Sequence, residues 1–536
     1  MSTGTQDSSL FATDSDADQI PPRQVAVIDI GTSAIRLAIG EIRGNGSIRT
    51  LDALTQPVAL GKDTFTTGRL SRATIENSVR VLRRYREVLD SYGINDQDIR
   101  CIATSSVREA QNRLAFRDRI YIATGFQVEP LDTAEVSRVT FLGVQPTLQA
   151  DPELDLARAV VVEVGGGSTE VLVVENGQVA FSHTYNLGSL RLRQTLESLR
   201  TPVHKEREIM LSQIDRFLDP ALQHISTGDS VAVKLIALGA DFRFVARQLA
   251  EELEDDGGET LVGVSLERFR AFTEEVLTLS TDELVQRFRI SYPDAETLGP
   301  ALLTMLRFAN RLGVTRIRVS PVNLRDGLMQ EMASQGVWSD NFRQQVMNSA
   351  IELSRKYGCD EAHATHVARL SGLLFEALQS QHRLDARHRT TLELAALLHE
   401  AGLFIGISSY HKHSQYLILH SELFGLSRHE LMLVALVARY HRRASPKPTH
   451  SPFSTLDREE RVIVSKLASI LRVAIALDRS YSQRIREFTC NVEKGRLIVE
   501  IPGVDDLSLE QIMLRQTGQM FEETFGMSVL LRRSRL

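Results

Sequence analysis

Two passages of the chain share one pattern of apolar and polar positions. Gln24–Ile30 and Ala34–Ile42 are apolar runs on either side of a glycine turn, and Ala159–Val164 and Glu170–Glu175 repeat this arrangement around a second glycine turn. Short β-branched runs that flank a tight turn predict a β-hairpin. Because the pattern occurs twice, we expect two lobes of similar structure.

Helical periodicity follows the first hairpin. Arg72–Tyr92 places its apolar residues on one face of a helix, which is typical of a helix packed against a core. Further predicted elements are the strand Ile99–Ala103, the helices Leu190–Leu199 and Glu206–Leu218, and the strand Val231–Leu238. Strands that alternate with helices indicate an α/β fold.

The composition changes at about Trp338, where glycines become rare and helical periodicity dominates. Helical periodicity runs through Ala350–Leu378, Thr390–Leu398, Arg428–Tyr440 and Glu459–Leu477. Within the first of these stretches, a helix is predicted to begin at His363. Ile485–Ile501 then alternates around a Lys-Gly turn as a hairpin, and Leu507–Gly526 is helical. We expect an all-α domain followed by a small α/β appendix.

The length of 536 residues is that of three or four domains at about 150 residues each. The expected divisions are an acidic tail at 1–22, lobes at 23–145 and 146–335, the helical domain at 336–482 and the appendix at 483–536. The first 22 residues carry four Asp and no Lys or Arg, which differs from a secretory signal and is typical of a disordered tail. Glu251–Glu259 is a run of charges and glycines that predicts a solvated loop.

The charge balance excludes a general nucleic-acid binder, so no DNA partner is expected. Lys and Arg number 62 against 68 Asp and Glu, a net charge of −6, although a locally basic cleft can still bind an anion. The three cysteines occur singly, which excludes a disulfide framework. No apolar run approaches the roughly 20 residues of a membrane helix, and a cytoplasmic location is expected.

The two glycine turns have the composition of a phosphate clamp. Such turns present several backbone N–H groups in one concavity, and glycine lets an anion approach closely. An acid precedes each turn, Asp29 in the first and Glu163 in the second, and either can hold Mg²⁺ directly or through water. The candidate phosphate-binding residues are Gly31, Thr32, Ser33, Gly165, Gly166, Gly167, Ser168 and Thr169.

Five motifs occur in the order and spacing of one known family. They are Val27–Ile42, Ala103–Arg113, Val160–Gly177, Asn186–Leu192 and Arg316–Leu328. On these motifs the chain resembles the exopolyphosphatase and guanosine pentaphosphate phosphohydrolase (Ppx/GppA) family in its long form. The resemblance implies two lobes of the actin, sugar kinase and Hsp70 type, with hydrolysis of phosphoanhydrides in the cleft between them. The implied substrates are inorganic polyphosphate first and guanosine pentaphosphate second.

The resemblance also implies a phosphate-binding arginine at Arg108. This residue follows a predicted strand on a Ser-rich turn, where loop residues commonly face a cleft, and the alternative is a surface ion pair. Arg36, Arg191 and Arg325 are further candidates for phosphate contacts, or else solvated side chains.

The sequence departs from the family pattern at the catalytic glutamate, whose position is occupied by Val136. Glu135 is the candidate replacement base, although a shift of one helical residue rotates the carboxylate by about 100°. Asp132 is the alternative. Phe242 replaces a glycine and is expected to place its ring where the backbone should approach phosphate, and Arg243 could compensate with its guanidinium group.

The helical domain resembles the HD metal-phosphohydrolase domain. Its residues would be His363 and the pair His399-Glu400, but the last ligand position is Ile475, so we expect no tightly bound transition metal. A basic wall for a long polyanion is predicted instead. Its members would be His411, Lys412, His413, His441, Arg442 and Arg443.

Three functions are compatible with the sequence. The first is a phosphoanhydride hydrolase that uses Mg²⁺ and is a homodimer. The second is a regulatory protein that binds polyphosphate or an alarmone without hydrolysing it, which the loss of a carboxylate at position 136 favours. The third, a sugar or acetate kinase on the same fold, is disfavoured by Ala103–Arg113 and by the fused helical domain.

Overall fold

A computed structural model of the chain describes residues 21–155, 157–225, 232–249, 261–334, 338–421, 423–442 and 444–533. The chain divides into two compact units, Met1–Gly336 and Val337–Leu536. The predicted acidic tail up to residue 20, the predicted loop Glu251–Glu259 and Arg443 lie outside the described residues.

The first lobe of the N-terminal unit is built on a five-stranded sheet. Its strands are β1 Arg23–Ile30, β2 Ala34–Ile42, β3 Ile48–Pro57, β4 Ile99–Ala103 and β5 Val128–Pro130, in the order β3-β2-β1-β4-β5. The helices are α1 Leu60–Thr67, α2 Arg72–Tyr92, α3 Ser105–Arg108, α4 Arg113–Thr124 and α5 Thr133–Ala150, and a 3₁₀ turn spans Asp96–Asp98. β1, β2 and β3 are antiparallel, whereas β4 and β5 run parallel to β1.

The second lobe repeats this strand order and adds one strand. It contains β6 Arg158–Val164, β7 Thr169–Glu175, β8 Gln178–Tyr185, β9 Val233–Leu238, β10 Val262–Ser265 and β11 Arg316–Val319, in the order β10-β11-β9-β6-β7-β8. Its helices are α6 Pro152–Asp155, α7 Ser189–Ser198, α8 Val203–Ile225, α9 Ala240–Leu249, α10 Leu266–Thr278, α11 Thr281–Phe288, α12 Tyr292–Leu312 and α13 Leu324–Ala333. Both predicted hairpins, β1–β2 and β6–β7, are confirmed.

Helix α13 packs against the first lobe, although the predicted lobe boundary at residue 145 assigns it to the second lobe. Leu328 of α13 packs with Val27 of β1 and Val139 of α5 in one buried cluster. Helices α5 and α13 cross closely at Gly327, where a Cβ atom would lie 2.0 Å from the carbonyl oxygen of Val139. A larger residue would therefore force the two helices apart.

Strand alternation places the two predicted acids on the faces that lead to the cleft. Val25 and Val27 of β1 pack against α5 and α13, and Asp29 continues the same face. In β6, Val162 and Val164 face the core of the second lobe, so Glu163 faces the opposite side.

The C-terminal unit is helical with one small sheet. Its helices are α14 Asp340–Lys356, α15 Glu361–Ala377, α16 Gln379–His382, α17 Arg387–Leu398, α18 Tyr410–Leu419, α19 Arg428–Arg439, α20 Arg458–Leu477, α21 Ser508–Thr517 and α22 Gln519–Phe525. Short 3₁₀ turns span Ala401–Phe404 and Phe453–Thr455, and the strands are β12 Thr489–Glu493, β13 Arg496–Ile501 and β14 Ser528–Arg533. The predicted hairpin around Lys494-Gly495 is confirmed as β12–β13.

The helical stretch predicted over Ala350–Leu378 contains two helices, and the second, α15, begins at Glu361, close to the start predicted at His363. Gly358 has a φ of +63° after α14, and the Asp360 side chain accepts a hydrogen bond from the amide of His363 at the start of α15. A left-handed glycine ends one helix and an aspartate N-cap begins the next. Among the described helices of the whole chain, none combines the length and apolar composition needed to cross a bilayer.

Candidate active site

The two glycine turns are built alike and touch each other. The amide of Gly31 donates to the carbonyl of Ala34 at 3.0 Å, and the amide of Gly165 donates to that of Ser168 at 2.8 Å. A Cβ atom on Gly166 would lie 2.8 Å from the Thr32 methyl group. Glycine at 166 therefore lets the turn of the second lobe pack directly on the turn of the first.

The second turn is held by the start of α7, so that its amides remain available to a ligand. The amides of Ser189 and Leu190 donate to the carbonyls of Gly165 and Gly166 at 2.9 and 3.0 Å. Within the described chain, the amides of Gly166, Gly167 and Ser168 donate to no protein acceptor. A row of free amides of this kind is a nest for an anion.

A cavity of about 180 Å³ lies between the two turns. Its lining comes from both lobes and includes Asp29, Gly31, Thr32, Ser33, Arg36, Thr104, Ser105, Val136, Glu163, Gly165, Gly166, Gly167, Ser168, Glu170, Ser189, Ala240, Asp241, Arg243, Asp294, Asn323 and Arg325. Helices α7, α9 and α13 each begin at this lining, at Ser189, Ala240 and Leu324. The positive ends of three helix dipoles therefore face the cavity, which favours an anion.

Arginine side chains surround the first acid of the site. Asp29 is buried, and its Oδ2 atom lies 3.4 Å from Nη1 of Arg325 and 3.9 Å from Nη1 of Arg36. Burial lowers the pKa of Arg243 and raises that of Glu163, and each of these two groups opposes the shift of the other. The cavity thus contains three guanidinium groups for an anion besides its carboxylates.

The two acids offer oxygen atoms of the kind that Mg²⁺ binds. Asp29 Oδ1 is buried and has no hydrogen-bond partner among the described residues, which is a free hard oxygen ligand. Glu163 lines the same cavity and is close enough for the Asp29 charge to raise its pKa. Mg²⁺ is commonly held by one or two carboxylates, water and substrate phosphates, which this pair can supply.

Glu170 is a site carboxyl that sequence reasoning missed. It is the cross-strand partner of Glu163 in the β6–β7 hairpin, and its Oε2 atom lies 3.3 Å from the hydroxyl of Thr140. Directly opposite residues of an antiparallel pair share a face, so both carboxyls point into the cavity. Burial, followed by the charge of Glu163, raises the pKa of Glu170 to about 8, while Arg108 lowers it. The signal was present in the sequence, because the hairpin register alone pairs 163 with 170.

The structure does not bring Glu135 into the cavity. Glu135 forms a capping box with Asp132 at the start of α5. The Glu135 carboxylate accepts from the Asp132 amide at 2.8 Å, and the Asp132 carboxylate accepts from the Glu135 amide at 2.9 Å. Val136 lines the cavity instead, and Thr140, one helical turn further along α5, bonds to the Glu170 carboxyl, which lines the same cavity. Because adjacent helical residues differ by about 100° in direction, the Glu135 carboxyl is turned away from the side that Val136 faces. Glu170, rather than Glu135, is therefore a carboxyl that lines the same cavity as Val136.

Two other expected contacts are also placed elsewhere. The Thr169 hydroxyl donates to the carbonyl of Leu187, so it is committed to the protein. The expectation that the Phe242 ring fills the phosphate site is wrong, because the ring is fully buried in the core of the second lobe and lies 6.5 Å from the Phe269 ring. Ala240 and Asp241 line the cavity in its place.

Arg108 and Arg191 lie beside the cavity rather than in its lining. Arg108 donates to the carbonyl of Leu131 at 2.7 Å, at the entry to α5. Arg191 donates to the carbonyl of Gly167 at 2.9 Å and binds both carboxylate oxygens of Glu109 at 2.9 Å. Its guanidinium also lies 4.1 Å from the centre of the Phe65 ring. Arg191 therefore ties the phosphate turn of the second lobe to two residues of the first.

Three of the histidines that the sequence indicates in the C-terminal unit are buried: His363, His399 and His441. His363, His399 and Glu400 converge in the interior, with their ligand atoms within 4.8 Å of one another. His441, expected in an exposed basic wall, is buried, with one ring nitrogen 3.2 Å from the hydroxyl of Tyr410. His441 is therefore not part of an exposed wall, whereas Lys412 and Arg442 are exposed.

Comparison with known proteins places this geometry in a family. The model of the Ppx/GppA phosphatase family matches residues 38–335, and that of Ppx/GppA phosphatase domain III matches residues 346–517. A guanosine-5'-triphosphate,3'-diphosphate pyrophosphatase from Photobacterium profundum is 23% identical over 523 residues, which are 92% of this chain and 96% of the relative.

Two solved structures show the same fold. An exopolyphosphatase from Cytophaga hutchinsonii ATCC 33406 is 22% identical with a TM-score of 0.52, and the match covers 59% of this chain and 99% of that one. An exopolyphosphatase-like protein is 23% identical with a TM-score of 0.51, covering 59% of this chain and 100% of its own.

Proposed function

The chain belongs to the Ppx/GppA phosphatase family, and on that premise we propose that it hydrolyses the terminal phosphoanhydride bond of inorganic polyphosphate, with guanosine pentaphosphate as a second substrate. The observation that carries the proposal is the Glu170 carboxyl, which lines the same cavity as Val136. Glu170 would supply the base in a chain that has Val136 at the position of the family's catalytic glutamate.

Binding of the terminal phosphates is assigned to the amides of the second turn and to arginine. Arg36, Arg243 and Arg325 line the same cavity, and each can donate charge-assisted hydrogen bonds to phosphate. Loss of one such contact weakens binding by about 1.5–3 kcal/mol, or about 10- to 150-fold. Among the described residues that line the cavity none is aromatic, so a guanine base would find no aromatic ring to stack on there. This favours polyphosphate as the first substrate.

Asp29 and Glu163 would hold Mg²⁺. When bound, the ion neutralises charge that develops on the phosphoryl oxygens. The protein's own groups act alongside it, since the amides of Gly166, Gly167 and Ser168 are fixed by α7 and need no rearrangement to donate to phosphate.

Glu170 acts on the attacking water. Its carboxylate accepts a proton as the water oxygen bonds to the terminal phosphorus, and the bond from that phosphorus to the bridging oxygen breaks. The products are inorganic phosphate and a chain shortened by one phosphate. A general base of this kind is worth about 10²- to 10⁴-fold in rate. Because its pKa is raised, Glu170 is a stronger base than an ordinary carboxylate once it is deprotonated.

The second candidate is a regulatory protein that binds the same polyanion without hydrolysing it. The apolar Val136 in the cavity wall favours this function, because it removes the carboxylate from the family's catalytic position. The homodimer, the cytoplasmic location and the HD-type character of the helical unit stay predictions.

The two candidates separate when phosphate release and binding are measured on one sample. Purified protein is incubated with labelled polyphosphate, and in parallel with guanosine pentaphosphate, in the presence of Mg²⁺. Hydrolysis predicts that phosphate is released in many turnovers per chain. Saturable binding with no release above a protein-free control would contradict the enzyme and support the regulator.

A further inference from the structure

The C-terminal unit carries an apolar loop, Leu403–Ile407, on its surface just before helix α18. Within the loop, Leu403 is 40% exposed, Phe404 65%, Ile405 50% and Ile407 82%. Large apolar side chains that are exposed singly are ordinary, whereas four of them within five residues form a patch. A patch of this kind marks a surface that contacts another molecule or a membrane.

The base of the apolar loop is fixed by the fold. A Cβ atom on Gly402 would lie 2.0 Å from the carbonyl oxygen of Tyr410, so the chain before the loop touches the chain after it. The Gly402 amide also donates to the Ser414 hydroxyl at 2.9 Å. Ser409 has a φ of +56°, a conformation that a residue other than glycine keeps only where the surrounding structure holds it. The apolar side chains are therefore presented to the outside by a constrained loop.

Cations lie on both sides of the apolar loop. On one side, the Phe404 ring is 5.6 Å from the Tyr357 ring, and Nζ of Lys356 lies 6.0 Å from the centre of that ring. On the other side, the Arg442 guanidinium lies 4.8 Å from the centre of the Tyr410 ring. Lys356 and Arg442 are exposed, and neither forms an ion pair with a described residue. Both charges are therefore available to an anionic partner.

The sequence around the apolar loop contains no acid to oppose these charges. Residues 401–421 include no Asp or Glu, but they include Lys412, which is exposed, and Tyr416, which is 57% exposed on α18. An apolar centre with a rim of cations and tyrosines complements acyl chains beneath negative headgroups. A soluble polyanion offers no apolar surface, so it would leave Phe404 and Ile407 in water.

We propose that the apolar loop docks this unit on an anionic lipid bilayer. The apolar side chains enter the boundary between headgroups and acyl chains, and Lys356, Lys412 and Arg442 contact the negative headgroups. A loop of this length reaches only that boundary, so the binding is peripheral and reversible. Each cation close to an anionic leaflet strengthens binding by about fivefold.

The test is flotation of the full-length protein with lipid vesicles. Vesicles of phosphatidylcholine alone are compared with vesicles of equal parts phosphatidylcholine and phosphatidylglycerol. We expect the protein to float with the anionic vesicles, to bind the neutral ones far more weakly, and to bind less as added salt screens the headgroup charge. Combined Phe404→Ser and Ile407→Ser should weaken binding by about 100-fold, and combined Lys412→Gln and Arg442→Gln by about 25-fold.

Combined Leu114→Ser and Ile122→Ser is the matched control. These two side chains are 69% and 68% exposed on α4, but Asp118 lies between them on the same helix face, which disfavours anionic lipid. Binding to anionic vesicles should equal that of the wild type. Ile407→Trp gives a second measurement, since the chain has one tryptophan, Trp338. Its added emission should shift to shorter wavelength with anionic vesicles, whereas that of Leu114→Trp should not.

The proposal is overturned if the wild-type protein does not float with anionic vesicles, or if folded protein with Phe404→Ser and Ile407→Ser floats as well as the wild type. It is also overturned if the control loses binding as fully as that variant. A smaller oligomer in the Phe404→Ser and Ile407→Ser protein, together with no vesicle binding by the wild type, would assign the apolar loop to an interface between two copies. None of these readouts depends on phosphatase activity.

Discussion

Glu163 and Glu170 lie directly opposite each other on β6 and β7, one residue beyond the pair that closes the second glycine turn. Their side chains share the face that lines the cavity, but their surroundings differ. Burial raises the pKa of both carboxyls. Arg243 is the strongest charge that opposes the rise at Glu163, whereas the charge of Glu163 adds to the rise at Glu170. The proposed function assigns the cation to Glu163, which lies near Asp29, and proton transfer to Glu170.

The first prediction concerns the pH dependence of hydrolysis. The active form of a base is deprotonated, and the pKa of Glu170 is raised to about 8, so kcat/KM should rise about tenfold per pH unit below pH 8 and level off above it. In Glu170→Gln this rise of kcat/KM with pH should disappear. Asp241, whose pKa is raised to about 7 by burial and the charge of Asp294, still titrates in that variant. A rise near pH 8 that survives in Glu170→Gln would contradict the assignment.

The second prediction concerns stability, because the pKa of Glu170 is raised above its unfolded value of 4.5. Between these two pKa values, the folded chain keeps a proton on Glu170 that the unfolded chain has lost. The contribution of Glu170 to the free energy of unfolding is therefore fully present below pH 4.5 and is lost as the pH rises through about 8. The decline is about 1.4 kcal/mol per pH unit at most. Glu170→Gln does not titrate, so its melting temperature should exceed that of the wild type by a margin that grows between pH 5 and pH 8. An equal margin across this range would contradict the shift.

The third prediction tests whether Arg191 positions the phosphate turn. Its ion pair with Glu109 is partly exposed, with 26% and 34% of the two side chains accessible, so Glu109→Gln should raise KM less than about fivefold. Arg191→Ala also removes the bond to the Gly167 carbonyl and the contact with Phe65, and should raise KM by about tenfold or more. Steady-state kinetics with polyphosphate measure both. Equal effects of the two variants would assign the whole role to the ion pair.

The fourth prediction separates two roles of Arg108. The Arg108 charge lowers the pKa of Glu170, so Arg108→Ala should move the midpoint of the pH profile to higher pH. Arg108→Lys keeps the charge, so it should move the midpoint much less. A phosphate contact, as the sequence suggests, would instead appear as weaker polyphosphate binding in both variants. A midpoint that does not change in folded Arg108→Ala protein would rule out the electrostatic role.

Local sequence patterns predicted the hairpins and their acids, because strand period and turn chemistry act over a few residues. The same patterns also encode two features of the site that were not among the predictions. The register that pairs Glu163 with Glu170 and the capping box that occupies Glu135 are both readable from residue spacing.

Other features depend on contacts between distant residues, and the sequence alone could not predict them. Phe242 turns into the core of the second lobe because space is available beside Phe269, which lies on another helix. The return of α13 to the first lobe depends on a close crossing at Gly327. The hydrogen-bond partner of His363 is Asp478, which lies more than a hundred residues away in the sequence.

The most direct test of the central claim compares phosphate release by Glu170→Gln and Glu135→Gln. Both variants exchange a half-buried glutamate with a raised pKa for an amide of the same shape, but only Glu170 lines the cavity. With polyphosphate and Mg²⁺, we predict that Glu170→Gln lowers kcat by about 10²- to 10⁴-fold with little change in binding, and that Glu135→Gln retains wild-type turnover at a temperature where both are folded. Loss of turnover in Glu135→Gln with full activity in Glu170→Gln would contradict the account.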